Sequence, residues 1–204
     1  MISGLAPIIY GSFRYKAFSV QLKALFIYLI VSVCIETGSF ILMSNGVKGN
    51  FTFIQFAFSV FECLAITYIF WLEFKKPSLK ITIVGFVIIY LIGLICSYAY
   101  TKNIGSVTDV ADIMEASFII ILSVIFFFNV FTDLEIPKLT NYPFFWLNSA
   151  FIVYFGTAFF LFLFNNAAKD FDMAIVYFLA AIHHIVNISY NILITIAICK
   201  VKKP

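Results

Sequence analysis

Apolar residues run along this chain in blocks of about twenty, broken by short charged punctuation. At helical rise, blocks of that length match the roughly 30 Å hydrocarbon core of a bilayer. The pattern predicts membrane spans at roughly 21–43, 51–74, 79–101, 109–133, 142–165 and 173–199. Ahead of them Ile2 to Phe13 form a shorter apolar run of 12 residues, closed by Arg14 and Lys16. At about 1.5 Å per residue this run covers only roughly 18 Å. Three forms are open to it: a half-helix, an interfacial helix, or a first span that begins upstream. A secretory signal is not expected, because no basic residue precedes the run and no small-residue cleavage site follows it. Connections are short, and the longest, around 134–141, carries Pro137 and leads to Pro143, which suits a turn and a helix start. The expected fold is all-α: one transmembrane domain over 1–204, a polytopic bundle of seven helices or of six plus an N-terminal half-helix.

Polar residues interrupt these blocks in register. A charged side chain near the centre of a membrane helix costs about 2.5–3.5 kcal/mol, so Glu36, Glu62 and Glu115 would together cost on the order of 8–10 kcal/mol if unpaired. They must be partnered, protonated or solvated. Counted from the outer end of each span, Glu36, Glu115, Glu62 and His183 lie roughly 9 to 17 Å deep, a single layer drawn from four helices. Each sits on a polar stripe at helical spacing. The stripes are Ser32, Glu36 and Ser39; Gln55, Ser59, Glu62 and Ala65; Thr108, Asp112 and Glu115; and His183, Asn187 and Asn191, with Tyr190 beside them. Lipid cannot satisfy such faces, so they should turn inward. Asn148, Ser149 and Tyr154 extend the polar track along the fifth full span.

Composition fixes the class. Hydrophobic residues make up 63% of the 204, charged residues 11%, and mean hydropathy is +1.06, values foreign to soluble domains. Charge then sets orientation. Arg14, Lys16, Lys23, Lys75, Lys76, Lys80, Lys138, Lys200, Lys202 and Lys203 fall on one side; Lys48, Lys102 and Lys169 fall on the other. The positive-inside rule places the first side, and with it the C-terminus, in the cytoplasm, as expected of a multi-pass protein of a cell inner membrane. The net charge of +3 is accordingly topogenic; the expected contact is the lipid bilayer and no nucleic acid is expected as a partner. Cys34, Cys63, Cys96 and Cys199 show no paired spacing and are expected to be buried and inert, with Cys199 near enough to the inner surface to be a candidate for acylation. Asn50-Phe51-Thr52 matches a glycosylation sequon in an outer loop.

For Asn148, Asn187 and Asn191 the sequence favours a packing role, since hydrogen bonds between membrane helices are an ordinary device worth about 0.6 kcal/mol. Buried glutamates are harder to explain that way. Glu36, Glu62, Glu115 and His183, with Asn187, Asn191, Asn148 and Tyr154 around them, are therefore the candidate ligand- or proton-binding residues. The first four also form a candidate set for a divalent metal (Zn, Mn or Fe), although no H-x-x-x-H or H-E-x-x-H pair is present and His183 and His184 are adjacent. Three functions stay open. An outward-opening acid/His cavity suits a ligand- or signal-sensing protein, or an accessory subunit that works with a membrane or cytoplasmic protein partner. The same groups suit a membrane-embedded metal-dependent hydrolase or transferase acting on lipid, or a proton-coupled transporter.

The series Ile35-Glu36-Thr37, Phe61-Glu62, Met114-Glu115-Ala116-Ser117, Phe145-Trp146-Leu147-Asn148-Ser149 with Tyr154-Phe155-Gly156, and His183-His184-Ile185-Val186-Asn187-Ile188 resembles a group of small bacterial seven-helix integral membrane proteins without assigned activity. The likeness covers most of the chain. It implies a seven-helix fold and the polar positions, and departs from the group at the short run Ile2 to Phe13.

Overall fold

The computed structural model describes residues 2–45, 51–133, 138–167 and 173–201. Seven α-helices follow one another: α1 (Ile2–Arg14), α2 (Val20–Ser44), α3 (Phe51–Glu73), α4 (Pro77–Thr101), α5 (Ile104–Asp133), α6 (Pro143–Ala167) and α7 (Met173–Cys199). Short 3-10 turns cover Tyr15–Ala17 and Leu139–Asn141, and no strand occurs among the described residues. All the helices except α1 are long and apolar enough to cross a bilayer. The chain folds as a multi-pass integral membrane protein.

The helix limits follow local chemistry. Pro143 opens α6 and Pro77 opens α4, each where the missing N–H has no intrahelical partner to lose. At the other end of α4, Lys102 adopts a left-handed conformation with φ 51°, and its N–H closes on the Tyr98 carbonyl at 2.8 Å. α5 begins at Ile104 rather than near 109. Asn103 caps it by accepting from the Gly105 N–H at 2.8 Å, and Thr108 returns its hydroxyl proton to the Ile104 carbonyl at 2.9 Å, so a polar stretch that reads as loop is held in the helix. Asn50 and Pro137 lie outside the described residues.

Packing closes six helices into a ring. α1 lies against α2 and α7, α7 against α6, α6 against α5, α5 against α3, and α3 against α2. α4 stands outside the ring on α5 and α3. The ring's core is aromatic and branched: the Phe70 ring meets Phe74, Phe144 and Phe151 at centroid distances of 5.8 Å, and Ile66, Ile119 and Ile194 are fully buried beside it. A smaller apolar cluster of Cys63, Tyr90, Leu94, Val107 and Ala111 seals α4 onto α3 and α5. The opposite face of α4 is bare, with Ile88, Ile92 and Ile95 more than half exposed, as a lipid-facing surface requires.

One end of the bundle gathers the last turns of α1, α3 and α7 with the first turns of α2 and α6. Arg14 Nη1 donates to the carbonyls of Cys199 at 2.9 Å and Val201 at 3.0 Å, capping α7 and tying α1 to it. Glu73 Oε2 accepts from Gln21 Nε2 at 3.2 Å, and its Oε1 accepts from the Tyr142 hydroxyl. This is the lysine-rich end. The expectation of four buried cysteines needs correction: only Cys63 is buried, whereas Cys34, Cys96 and Cys199 are exposed, because membrane helices turn half their surface to lipid and a small apolar thiol is tolerated there.

Candidate functional site

Helices α1, α2, α3, α6 and α7 line a partly open cavity of about 380 Å³, within the roughly 300–1,000 Å³ range of small-molecule sites. Helical spacing builds its walls. On α2 a face of Tyr28, Ser32, Glu36 and Ser39 recurs at steps of three and four, and on α3 the lining includes Gln55, Phe58 and Glu62. α6 supplies Tyr154, and α7 supplies His183, Asn187, Tyr190 and Asn191. α1 reaches the lining through Gly4, where a Cβ would stand 3.1 Å from Val33 Cγ2. The cavity extends towards Ser39 and Phe51, at the ends of α2 and α3 remote from the lysine-rich end.

Its interior is a carboxyl set among tyrosines. Tyr28, only 3% exposed, donates its hydroxyl proton to Glu62 Oε1. The Tyr154 ring packs on Tyr190 at 4.8 Å and on His183 at 5.9 Å. Tyr190 Oη is buried without a hydrogen-bond partner among the described residues. Asn191 is the opposite case: its Nδ2 donates to Asn187 Oδ1 at 2.7 Å, to the Asn187 carbonyl at 2.9 Å and to Ser3 Oγ at 3.2 Å, so it ties α7 to α1. Nearer Ser39, Glu36 and His183 interact electrostatically. The described lining carries Glu36, Glu62 and His183 as its titratable acid and base groups, and neither lysine nor arginine.

Glu115 and Asn148 sit elsewhere. Glu115 is 3% exposed; its Oε2 accepts from Ser59 Oγ at 3.0 Å, and its Oε1 is buried without a partner among the described residues. Asn148, fully buried, donates from Nδ2 to the Ser123 carbonyl at 3.1 Å and joins α6 to α5. Glu36, Glu62, His183, Asn187, Asn191 and Tyr154 are thus brought together, and Glu115 and Asn148 are not. Among the described residues no three His, Cys, Asp or Glu side chains are grouped to hold a metal ion. The set Glu36, Glu62, Glu115 and His183 therefore does not assemble as a Zn, Mn or Fe site, because Glu115 pairs with Ser59 away from the cavity that the other three line. Sequence reasoning overlooked Tyr28, although it stands four residues before Ser32 on the same face, and overlooked the contribution of Ser3 and Gly4.

Fold and cavity together define an α-helical integral membrane protein with an acidic, tyrosine-walled chamber inside the bundle. No protein family matches the chain, and neither characterised proteins nor solved structures gave a match.

Proposed function

We propose that the protein is a ligand- or signal-sensing protein, or an accessory subunit of a membrane complex, that takes its ligand into this cavity. The observation that carries the reading is the convergence of Glu62, Tyr28, Tyr154 and Tyr190 on one cavity of about 380 Å³. A cavity of that size, largely apolar and with a few convergent polar groups, is the usual form of a small-molecule site. A bacterial inner membrane, with the lysine-rich end and the C-terminus in the cytoplasm, is part of the proposal and rests on the positive-inside rule. With the cavity extending away from that end, ligand arrives from outside and the partner docks inside. The lipid-enzyme reading draws less support, since no grouped metal ligands occur among the described residues.

Native mass spectrometry of the protein released from its own membranes tests the reading. Wild type should carry a small-molecule adduct that Ser32→Trp, which fills the cavity, lacks. An adduct held equally by both proteins, or by neither, overturns it.

A further inference from the structure

Resting on the reading that the cavity holds a ligand, we propose that this ligand carries an organic ammonium group, paired with Glu62 and enclosed by the rings of Tyr28, Tyr154 and Tyr190. Charge is the first argument. Glu36 and Glu62 line the cavity with no lysine or arginine among the described lining residues, so carboxylate charge there favours a cation over an anion. The walls are the second. Tyrosine rings stabilise ammonium ions through their quadrupole, and Tyr28, Tyr154 and Tyr190 all line this cavity beside Glu62. An acid and aromatic faces in one chamber suit a cation better than a neutral polar molecule, which gains little from either.

Volume supplies the third argument, independent of the acids. A volume of about 380 Å³ holds an ammonium head and several carbons, and the apolar lining at Leu29, Val33, Ile54 and Phe58 suits the carbons.

Titration calorimetry on the full chain in a non-ionic detergent tests the inference with hexylammonium, hexanol and hexanoate, three probes with one tail and different charge. Hexylammonium should bind at least tenfold more tightly than the other two. Glu62→Gln should weaken hexylammonium at least tenfold and leave hexanol within twofold, a split that a general packing defect would not produce. Should Glu62→Gln fail to fold, Ser32→Lys serves instead: a resident cation in the cavity should abolish hexylammonium binding alone. Ethylammonium and dodecylammonium then distinguish the source, since binding of the short amine marks a water-borne ligand and binding only of the long one marks an amphiphile from the membrane. Equal binding of the three hexyl probes, or preference for hexanoate, overturns the ammonium assignment and leaves the cavity as a ligand site. Absence of binding by all of them also overturns it, with the adduct comparison above deciding separately on the cavity.

Discussion

Tyr28 and Glu62 should prove coupled by more than an ordinary hydrogen bond between membrane helices. Such bonds average about 0.6 kcal/mol, because helices separated in the membrane find other partners. A bond to an ionised acceptor is worth about 1.5–3 kcal/mol. Here the donor is a tyrosine only 3% exposed and the acceptor a carboxyl group lining the same cavity, so neither partner finds an easy substitute. With Glu62 accepting as a carboxylate and Gln keeping a neutral bond of about 0.6 kcal/mol, a double-mutant cycle through Tyr28→Phe, Glu62→Gln and the double variant should give a coupling of about 1–2 kcal/mol.

The single variants should differ. Tyr28→Phe strips a carboxylate of its donor, whereas Glu62→Gln still offers the Tyr28 hydroxyl a neutral carbonyl oxygen, so the first should cost more. Reversible unfolding in mixed micelles, followed by the fluorescence of Trp71 and Trp146, measures all four proteins; neither tryptophan lines the cavity, so the probe is not itself perturbed. A coupling at or below about 0.6 kcal/mol would refute the reasoning, because the pair would then behave as neutral packing.

Three further perturbations act away from the cavity's acid. Gly11→Ala places a Cβ 2.8 Å from the buried Phe26 ring and should cost about 1–3 kcal/mol by forcing α1 off α2; faster amide exchange confined to α1 would show it. Asn148→Ala leaves the Ser123 carbonyl without its side-chain donor and should cost about 1–3 kcal/mol in the same unfolding assay, while ligand retention by the native fold is unchanged. Lys102→Gly relieves a left-handed residue at the end of α4 and should raise stability by about 1 kcal/mol, read as a higher melting temperature.

The six long helices were legible because the bilayer imposes a length on every apolar block, and Pro77, Pro143 and Lys200 mark their ends. The start of α5 was not, because Asn103 and Thr108 satisfy local backbone groups that a polar stretch otherwise leaves open. Stripe periodicity placed Glu36, Glu62, His183, Asn187 and Asn191 in the interior; the cavity gathers them, although the Glu36 side chain is exposed. Periodicity says nothing about which stripes face each other. That is why Glu115 was grouped with residues it does not join: its depth matches theirs, but α5 meets α3 on the side of Ser59, and depth alone carries no azimuth. Tyr28 escaped notice for a different reason, since a tyrosine in an aromatic-rich chain reads as packing until its hydroxyl is seen on a carboxyl.

Half-buried Glu62 and buried Glu115 show how α3 serves as a common wall. Ser59 and Glu62 are three residues apart, close enough to share a face yet turned about 60° from one another on a regular helix. That rotation directs Ser59 to Glu115 on α5 and leaves Glu62 on the cavity with Tyr28. The two carboxyls still interact electrostatically through the wall. Their surroundings differ in kind. Glu115 is buried and bonded to Ser59 and is not part of the cavity lining, whereas Glu62 borders open volume framed by rings. A carboxyl packed on every side can hold helices together but cannot meet a ligand, while one that borders a chamber can do both. α3 thus carries Glu62 on its cavity side and Ser59, the partner of Glu115, on the side that packs on α5.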